Sequence, residues 1–198
     1  MADKTNKHIK RERLLDQGVK MLMEQGYHGT GLKEMLETVG VPKGSFYNYF
    51  NSKEEFAAQA ITHYIEPFLV RLEGHLQNPQ LNALAALRLY YSELIIEVSQ
   101  SDYKSGCLLG NLMGEIGGSS EACHQSLKTA IERYRSLQES ALLRGQQEGV
   151  VRMDLSALSM SDLLVNNWQG ALLRMKIDQS VAALKEFRST LLDDYFKC

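Results

Sequence analysis

The residues most suited to covalent chemistry lie around Cys107, one of three cysteines in the 198-residue chain. Ser105 can cap the N-terminus of a predicted helix over residues 106–116, which would place Cys107 in the first turn. The positive end of a helix dipole favours the thiolate, the form of cysteine that reacts with oxidants and electrophiles. The sequence therefore predicts a reactive thiol, and the alternative is a small buried cysteine on a tightly packed helix.

Three glycines, Gly106, Gly110 and Gly114, follow one another at four-residue spacing along this predicted helix. They share one face, and each interior glycine costs a helix about 1 kcal/mol relative to alanine. We therefore expect a helix that either packs very closely against a neighbour or is only marginally stable. Both properties suit a segment that changes conformation when its thiol reacts.

The other two cysteines, Cys123 and Cys198, do not share this setting. An odd number of widely spaced cysteines is neither a disulfide framework nor a metal-binding pattern, so free thiols in a reducing cytoplasm are expected. A cysteine enzyme needs a base within hydrogen-bonding reach, and the adjacent side chains of Cys123 and His124 would point about 100° apart on a helix. The sequence predicts no enzymatic activity, no metal and no cofactor, with a cysteine-dependent enzyme as a remote alternative.

Residues suited to binding a polyanion are concentrated between Thr30 and Lys53. Thr30 can cap a short helix that ends at Gly40, and a second short helix is predicted over residues 43–49. Two short helices joined by a tight turn form the helix-turn-helix that reads a DNA major groove. Lys43 and Lys53 bracket the second helix with positive charge for phosphate contacts.

The side chains of this second helix divide between two faces. Gly44 and Ser45 are small enough for a close approach to DNA, and the amide of Asn48 and the neighbouring tyrosines can contact bases and phosphates. Phe46 and Phe50, four residues apart, are expected in the core. The alternative is that all four aromatic residues of this segment belong to the core of a helical bundle. Core packing does not explain Tyr47 and Asn48 on the opposite side, so DNA binding is the favoured interpretation.

Helical periodicity runs along the whole chain, and no run alternates as a β-strand does. The predicted fold is all-α, with a three-helix helix-turn-helix head, a helical-bundle body and about nine helices. The predicted domains are a DNA-binding domain, 1–52, and a regulatory and dimerisation domain, 53–198. A capping box at Ser52-Lys-Glu-Glu55 opens a long helix that Pro67 should kink rather than stop. The other predicted helices are 8–25, 81–100, 106–116, 121–148, 155–177 and 181–196.

Charge is distributed unevenly between these two parts. Residues 1–53 carry nine Lys/Arg against six Asp/Glu, whereas the other 145 residues carry 13 against 18. A basic head on an acidic body indicates that only the head contacts a polyanion such as double-stranded DNA. The N-terminus shows no signal peptide, and no apolar run approaches the roughly 18 residues of a membrane span. A cytoplasmic protein without a membrane partner is expected.

Apolar stripes in the last two predicted helices suggest a dimer. Helix 181–196 carries one stripe, and helix 155–177 is apolar on more than one side, as expected if it faces both its own core and a partner. A symmetric DNA reader needs two heads about 34–36 Å apart, which favours a homodimer on a palindromic operator over a monomer with a wide core. The stripe residues are Val181, Leu184, Phe187, Leu191, Leu192 and Tyr195, and then Leu158, Leu164, Val165, Trp168, Leu172 and Met175.

The segment Gly40-Val-Pro-Lys-Gly-Ser-Phe-Tyr-Asn-Tyr-Phe-Asn-Ser-Lys-Glu54 strongly resembles the signature of the TetR family of repressors. The resemblance covers residues 8–55 and implies a homodimer whose divergent C-terminal domain binds an inducer and releases DNA. Leu36 departs from the alanine of many members, which should alter packing rather than the DNA face. The DNA-binding residues expected on this basis are Thr30, Gly31, Lys43, Gly44, Ser45, Tyr47, Asn48, Tyr49 and Lys53.

The same resemblance suggests a buried pocket for an inducer in the body. Each candidate residue would also suit a plain core position, so the pocket rests on family analogy alone. The candidates are Tyr90, Leu94, Met113, Tyr134, Asn167 and Trp168.

Ser105-Gly106-Cys107-Leu108, together with Met175-Lys176-Ile177, is similar to the N-ethylmaleimide-reductase repressor subgroup of the TetR family. This likeness implies that Cys107 senses reactive chlorine species and electrophiles such as quinones and aldehydes, with Lys176 as its partner. A nearby ammonium would stabilise the thiolate, and a sulfenic acid on the sulfur could couple to the amine nitrogen. The alternative is a repressor induced by an ordinary non-covalent ligand in the body pocket.

Overall fold

The structure is a computed structural model that describes residues 2–101, 106–116 and 120–198, with side chains from residue 7 onward except that of Lys43. The all-α prediction is confirmed, since these residues form nine α-helices and a final π-helical segment, with one isolated antiparallel bridge between Val151 and Lys197. The helices are α1 Ala2–Gly29, α2 Leu32–Thr38, α3 Lys43–Phe46, α4 Lys53–Gln77, α5 Ala83–Ser99, α6 Leu108–Ile116, α7 Glu121–Gln147, α8 Ala157–Asp178 and α9 Ala182–Arg188, followed by the π-helical segment Ser189–Tyr195.

The chain divides into two compact units, neither of which is continuous in sequence. The first unit combines residues 1–66 with 108–130, and the second combines 67–107 with 131–198. Helices α4 and α7 therefore contribute to both, and α4 continues through Pro67 as predicted. The predicted boundary between residues 52 and 53 separates a DNA-binding domain from a regulatory domain, whereas the compact units are defined by packing. The predicted boundary therefore stays a prediction. Among the described residues, no helix has both the length and the apolar character that a membrane crossing requires.

Three phenylalanines form the centre of the first unit. Phe46 and Phe50 are both buried, as predicted, and their ring centroids lie 5.8 and 5.0 Å from that of Phe56 on α4. Gly18 on α1 leaves the space for Phe56, because a Cβ at that position would lie 2.1 Å from the Phe56 ring. This cluster fixes the second helix of the predicted helix-turn-helix against α1 and α4.

Helix α1 is interrupted near its end by Gly26. Its φ of 71° is positive, and its ψ of −178° is extended rather than left-handed helical. Residues that follow resume a helical turn, so α1 ends at Gly29 rather than at residue 25. The carbonyl of Gly26 accepts the backbone N–H of Thr30 at 3.1 Å, which closes this last turn.

The start of α4 bears out half of the predicted capping box. The N–H of Glu55 donates to Ser52 Oγ at 3.1 Å. The carboxylate of Glu55 accepts from the backbone N–H of Asn51 at 2.9 Å rather than from that of the cap residue. Both bonds satisfy donors that a helix start otherwise leaves without partners.

The core of the second unit is built around an aromatic group where α5, α8 and α9 meet. The ring centroid of Tyr91 lies 5.0 Å from that of Trp168 and 4.9 Å from that of Phe187. The hydroxyl of Tyr91 donates to Gln138 Oε1 at 3.1 Å, so its polar end is satisfied inside the core. Burial raises the pKa of Tyr91 well above the ordinary tyrosine value, since an ionised phenolate would lose its hydration there.

Candidate DNA-binding surface and sensor cysteine

The helix-turn-helix is formed by α2, a tight turn and α3. Gly40 ends α2 with a φ of 66°, the N–H of Val41 donates to the carbonyl of Leu36 at 2.9 Å, and the N–H of Gly40 donates to that of Glu37 at 3.2 Å. These two bonds form a Schellman motif, which glycine favours because the position needs a positive φ. The prediction that Gly40 closes the first helix is confirmed.

The second helix is shorter than predicted. It ends at Phe46 rather than Tyr49, and the N–H groups of Asn48 and Tyr49 donate to carbonyls three residues back, at 3.1 and 2.9 Å. The N–H of Phe50 then returns to a four-residue bond with the Phe46 carbonyl at 3.0 Å. Tightening of the last turn brings Phe50 into the core while Tyr47 and Asn48 stay outside.

Most of the predicted DNA-binding residues of this segment lie at the surface. The side chain of Tyr47 is 59% exposed, Asn48 is exposed, and Ser45 and Tyr49 are half-buried. The Lys7 ammonium lies 5.9 Å from the centroid of the Tyr49 ring and adds a positive charge that the motif did not predict. The side chain of Lys43 lies outside the described residues.

At two positions on this surface, the fold of the chain does not itself require a residue without a side chain. Neither Gly31 nor Gly44 has a positive φ, and a Cβ added to either would meet no atom within 4 Å. Their small size therefore leaves room for something outside the chain, as a close approach to DNA requires.

Thr30 and Lys53 make internal contacts that the sequence did not predict. The prediction that Thr30 caps α2 is wrong, because Gly31 occupies that position and makes no side-chain cap. Thr30 is only 2% exposed, and its hydroxyl donates to the Gly26 carbonyl at 2.6 Å. Lys53 donates to the Tyr27 carbonyl at 2.6 Å, with its ammonium 4.4 Å from the Tyr27 ring centroid. Burial lowers the pKa of Lys53, while the charges of Glu115 and Glu54 act in the opposite direction.

Cys107 lies immediately before α6, one residue outside the first turn in which it was predicted. It is half-buried, and Gln169 Nε2 of α8 donates to its Sγ at 3.1 Å. Ser105, the predicted cap, lies outside the described residues. Gln169 could not be connected to Cys107 from the sequence, because 62 residues separate the two.

The end of the Lys176 side chain lies against Gly106. A Cβ at Gly106 would be 2.4 Å from Lys176 Cε and 2.6 Å from Nζ, so a glycine at this position provides the space for the lysine. Gly114, in contrast, has open space around it, so the expected close packing along the glycine face does not extend to that position. The structure thus brings Lys176 to the residue before Cys107.

The other two cysteines have different surroundings. Cys123 is fully buried in the first turn of α7, and its thiol donates to the Glu54 carbonyl at 3.6 Å. Burial raises the pKa of the Cys123 thiol. The hydrogen bond with Ser120 acts to lower this pKa, and the charge of Glu54 acts to raise it. Cys198 is exposed at the last position of the chain.

The predicted pocket residues divide into two groups. Tyr90, Leu94, Tyr134 and Trp168 are buried in the second unit, and the Tyr90 and Tyr134 ring centroids lie 6.2 Å apart. The prediction fails for Asn167, which is exposed, because its amide bonds to the Leu163 carbonyl of its own helix at 2.9 Å. It also fails for Met113, which is exposed on α6 of the first unit.

Half of the predicted dimer stripe of the last helix is buried within the chain, and Tyr195 is exposed. Leu184, Phe187 and Leu192 are buried within their own chain, because α9 and the π-helical segment pack on α5 and α8. Helix α8 is apolar on more than one side, as predicted. Leu164, Val165, Trp168, Leu172 and Met175 are buried, and Leu158, Leu173 and Ile177 are exposed. At about 100° per residue, the three exposed residues fall within an arc of about 100°.

Two sequence families match this chain. The family described as bacterial regulatory proteins of the tetR family matches residues 14–60, and the tetracyclin repressor-like C-terminal domain matches residues 83–191. Together they cover the helix-turn-helix and most of the helices that follow it.

Similar proteins and structures agree with these matches. The transcriptional repressor NemR of Escherichia coli is 31% identical, with 92% of each chain covered, and the repressor DhaR of Mycobacterium sp. is 29% identical, with 92% of this chain and 90% of that one covered. The crystal structure of the reduced form of E. coli NemR superposes with a TM-score of 0.86 at 31% identity, over 93% of this chain and 95% of that chain. A regulatory protein TetR from Rhodobacter sphaeroides superposes with a TM-score of 0.85 at 29% identity, over 91% and 96%. The chain belongs to the TetR family of DNA-binding transcriptional repressors.

Proposed function

We propose that this repressor releases its operator DNA when an oxidant or electrophile modifies Cys107. The observation that carries the proposal is the setting of the Cys107 sulfur, which accepts a hydrogen bond from Gln169 at 3.1 Å and follows a glycine against which Lys176 packs. A partly exposed thiol near an amide donor and an ammonium group is the environment in which cysteines react. The similarity to NemR, whose structure is that of a reduced form, agrees with a redox response.

The chemistry requires a two-electron oxidant or a carbon electrophile. Hypochlorous acid converts the thiolate of Cys107 to a sulfenic acid, and its chlorine leaves as chloride, reduced by two electrons. The Lys176 nitrogen, once it has lost a proton, can displace the sulfenic hydroxyl to form a sulfur–nitrogen bond with loss of water. A quinone instead accepts the thiolate at a ring carbon and takes up a proton from water. The thiol reacts once per signal, so no catalytic turnover is proposed.

The protein is proposed to act as a cytoplasmic homodimer on a palindromic operator. The exposed apolar face of α8, formed by Leu158, Leu173 and Ile177, supports a partner chain at this helix, and Ile177 is 84% exposed. In each protomer Tyr47 and Asn48 would read or position the DNA, with Gly31 and Gly44 allowing its close approach. Reducing conditions in the cytoplasm would keep the three cysteines as thiols.

The experiment that tests sensing compares operator release by the wild type and two variants after treatment with hypochlorite or a quinone. Cys107→Ser should bind the operator normally and retain it after treatment, because no thiolate remains at that position. Cys198→Ser, the matched control, should release DNA as the wild type does. Release by Cys107→Ser at wild-type doses would refute the sensor proposal.

DNA contact is tested separately with Tyr47→Ala in an electrophoretic shift assay. Loss of an exposed side chain should leave the dimer and the thermal unfolding temperature unchanged while it weakens operator binding. Leu143→Ala, an exposed position on α7, is the control for a surface truncation away from the helix-turn-helix. Equal operator affinity of Tyr47→Ala and the wild type would count against this surface as the DNA contact.

A second candidate is induction by a non-covalent ligand in the body. It is favoured by the tyrosines Tyr90, Tyr91 and Tyr134, which bring hydroxyl groups into the core of the second unit. Gln138 is fully buried there, and its Nε2 has no hydrogen-bond partner among the described residues. A ligand with an acceptor group would satisfy that donor. Under this alternative, protein with all thiols alkylated would still respond to its inducer.

A further inference from the structure

Glu115 lies near the end of α6 and binds the backbone of α1. Its Oε2 accepts the N–H of Tyr27 at 2.7 Å, and its Oε1 accepts the N–H of His28 at 2.7 Å. All three residues belong to the first compact unit. One carboxylate therefore holds two successive peptide groups that lie just before the helix-turn-helix.

The two N–H groups are available because Gly26 interrupts α1. Its extended ψ of −178° ends the regular hydrogen bonding of the helix, and the turn that follows begins with donors that lack a carbonyl four residues back. A carboxylate is the strongest side-chain acceptor for such donors, since its charge also interacts favourably with the positive end of a helical turn. Glu115 thus caps this turn from a different helix.

The absence of a side chain at Gly26 also leaves room for the Glu115 carboxylate. A Cβ at this position would lie 2.6 Å from Glu115 Oε2, and the φ of 71° is one that other residues rarely adopt. The residue that breaks α1 therefore leaves the space in which Glu115 binds.

The turn held by Glu115 is connected to both ends of the helix-turn-helix. The Tyr27 carbonyl accepts from Lys53, the first residue of α4, at 2.6 Å. The Gly26 carbonyl accepts the hydroxyl of Thr30, which precedes the N-cap of α2, at 2.6 Å. Displacement of this turn would shift the anchors of α2 and α4 together.

Helix α6 also connects this contact to the sensor cysteine. Its first residue, Leu108, follows Cys107 directly, and seven residues along the helix separate it from Glu115, a rise of about 10 Å. Leu108, Leu112 and Ile116 are fully buried, and Asn111 Nδ2 donates to the Met23 carbonyl at 3.4 Å. A short helix with this many fixed contacts moves as a body, so a shift at its start also reaches its end.

We propose that Glu115 is a positioning residue that holds the helix-turn-helix in its DNA-binding arrangement and releases it when Cys107 is modified. Its part in releasing DNA rests on the proposed sensing by Cys107, whereas its part in holding the helix-turn-helix does not. In this proposal, the hydrogen bonds from the Tyr27 and His28 N–H groups to Glu115 are present in the reduced protein and are lost when Cys107 is modified.

The first test measures operator affinity of the reduced Glu115→Gln variant. An amide keeps the shape but loses the charge, and its NH₂ group opposes one of the two backbone donors, so affinity should fall about tenfold. Glu121→Gln, which removes a charge from the exposed start of α7, should bind as the wild type does. The rate of Cys107 alkylation should be equal in all three proteins, and wild-type affinity in Glu115→Gln overturns the proposal.

A second test needs no variant and so does not depend on whether Glu115→Gln folds. Amide hydrogen exchange of Tyr27 and His28 is measured by NMR in the full-length protein before and after reaction of Cys107 with a quinone. Release of Glu115 should speed the exchange of both amides at least tenfold, because they lose their acceptor. Equal exchange in the two states overturns the coupling.

The two proposals fail in different ways. If Cys107 is not the sensor, the quinone releases operator DNA equally from the wild type and Cys107→Ser, whatever Glu115 does. If Cys107 is the sensor and Glu115 is not the coupling residue, the quinone releases DNA while the Tyr27 and His28 amides stay protected.

Discussion

Cys107 and Cys123 both lie at the start of a helix, yet their surroundings are opposite. Cys107 directly precedes α6, is half-buried, and accepts a hydrogen bond from an amide. Cys123 lies in the first turn of α7, is fully buried, and donates its thiol hydrogen to a carbonyl. Both sulfurs are near the positive end of a helix dipole, so the dipole cannot distinguish them.

This comparison indicates that the neighbours of a sulfur influence its reactivity more than its position on a helix does. At Cys123, burial and the charge of Glu54 raise the pKa of the thiol, so the neutral form is stabilised. At Cys107, Gln169 donates to the sulfur and Lys176 packs against the preceding residue. Three substitutions around Cys107 and one at Cys123 test this comparison.

The largest effect among these is expected from Lys176→Met. Removal of the positive charge that lies against Gly106, the residue before Cys107, should slow alkylation of that thiol by iodoacetamide about tenfold, a change typical of a charge–charge interaction at a partly buried site. Lys176→Arg keeps the charge and should react at nearly the wild-type rate, but it cannot form the same sulfur–nitrogen product. Equal alkylation rates in Lys176→Met and the wild type would show that Lys176 does not influence the reactivity of Cys107.

A smaller effect is expected from Gln169→Ala, which deletes the hydrogen bond to Cys107 Sγ. A net contribution of about 1 kcal/mol for such a bond corresponds to roughly fivefold slower alkylation. The matched control is Asn167→Ala, which removes an amide from the exposed side of the same helix. The hydrogen bond has no role in reactivity if both variants alkylate at the same rate.

Gly106→Ala should have a still smaller effect on the same rate. The new methyl group would lie 2.4 Å from Lys176 Cε and 2.6 Å from Nζ, which are the flexible end of a long side chain and can move away. We expect roughly threefold slower alkylation, intermediate between wild type and Lys176→Met, with stability unchanged within about 0.5 kcal/mol. Thermal unfolding measured beside the rate separates this local displacement from a general loss of structure.

Cys123→Ala should leave sensing unchanged and alter only stability. Loss of a buried side chain should lower the free energy of unfolding by about 1 kcal/mol. Because folding raises the pKa of Cys123, its contribution is complete below the ordinary thiol range and is lost as the pH rises through the folded value. The wild type and Cys123→Ala should therefore converge in stability at alkaline pH, as measured by urea unfolding between pH 7 and 10. A constant difference would contradict the raised pKa.

The sequence predicted best what is decided by neighbouring residues. The helix end at Gly40, the contact of Ser52 with the Glu55 N–H and the burial of Phe46 and Phe50 are all set within a few residues of one another. Each depends on backbone conformation or helical spacing, which a sequence displays directly.

The contacts that could not be predicted join distant parts of the chain. Gln169 bonds to Cys107 across 62 positions, and Glu115 bonds to Tyr27 across 88. Nothing local to either residue indicates its partner. The apolar stripe of α9 illustrates the same limit, because a buried stripe in a chain's own core and one at a dimer interface have the same periodicity.

The role of Cys107 as the sensor can be measured by peptide mapping of the wild-type protein during graded oxidation by hypochlorite, with operator release followed on the same samples. At half-maximal release, we expect about half of Cys107 to carry an oxidised or cross-linked form while Cys123 is still a free thiol. DNA release that follows the modification of Cys123, or that begins while Cys107 is unmodified, would contradict it.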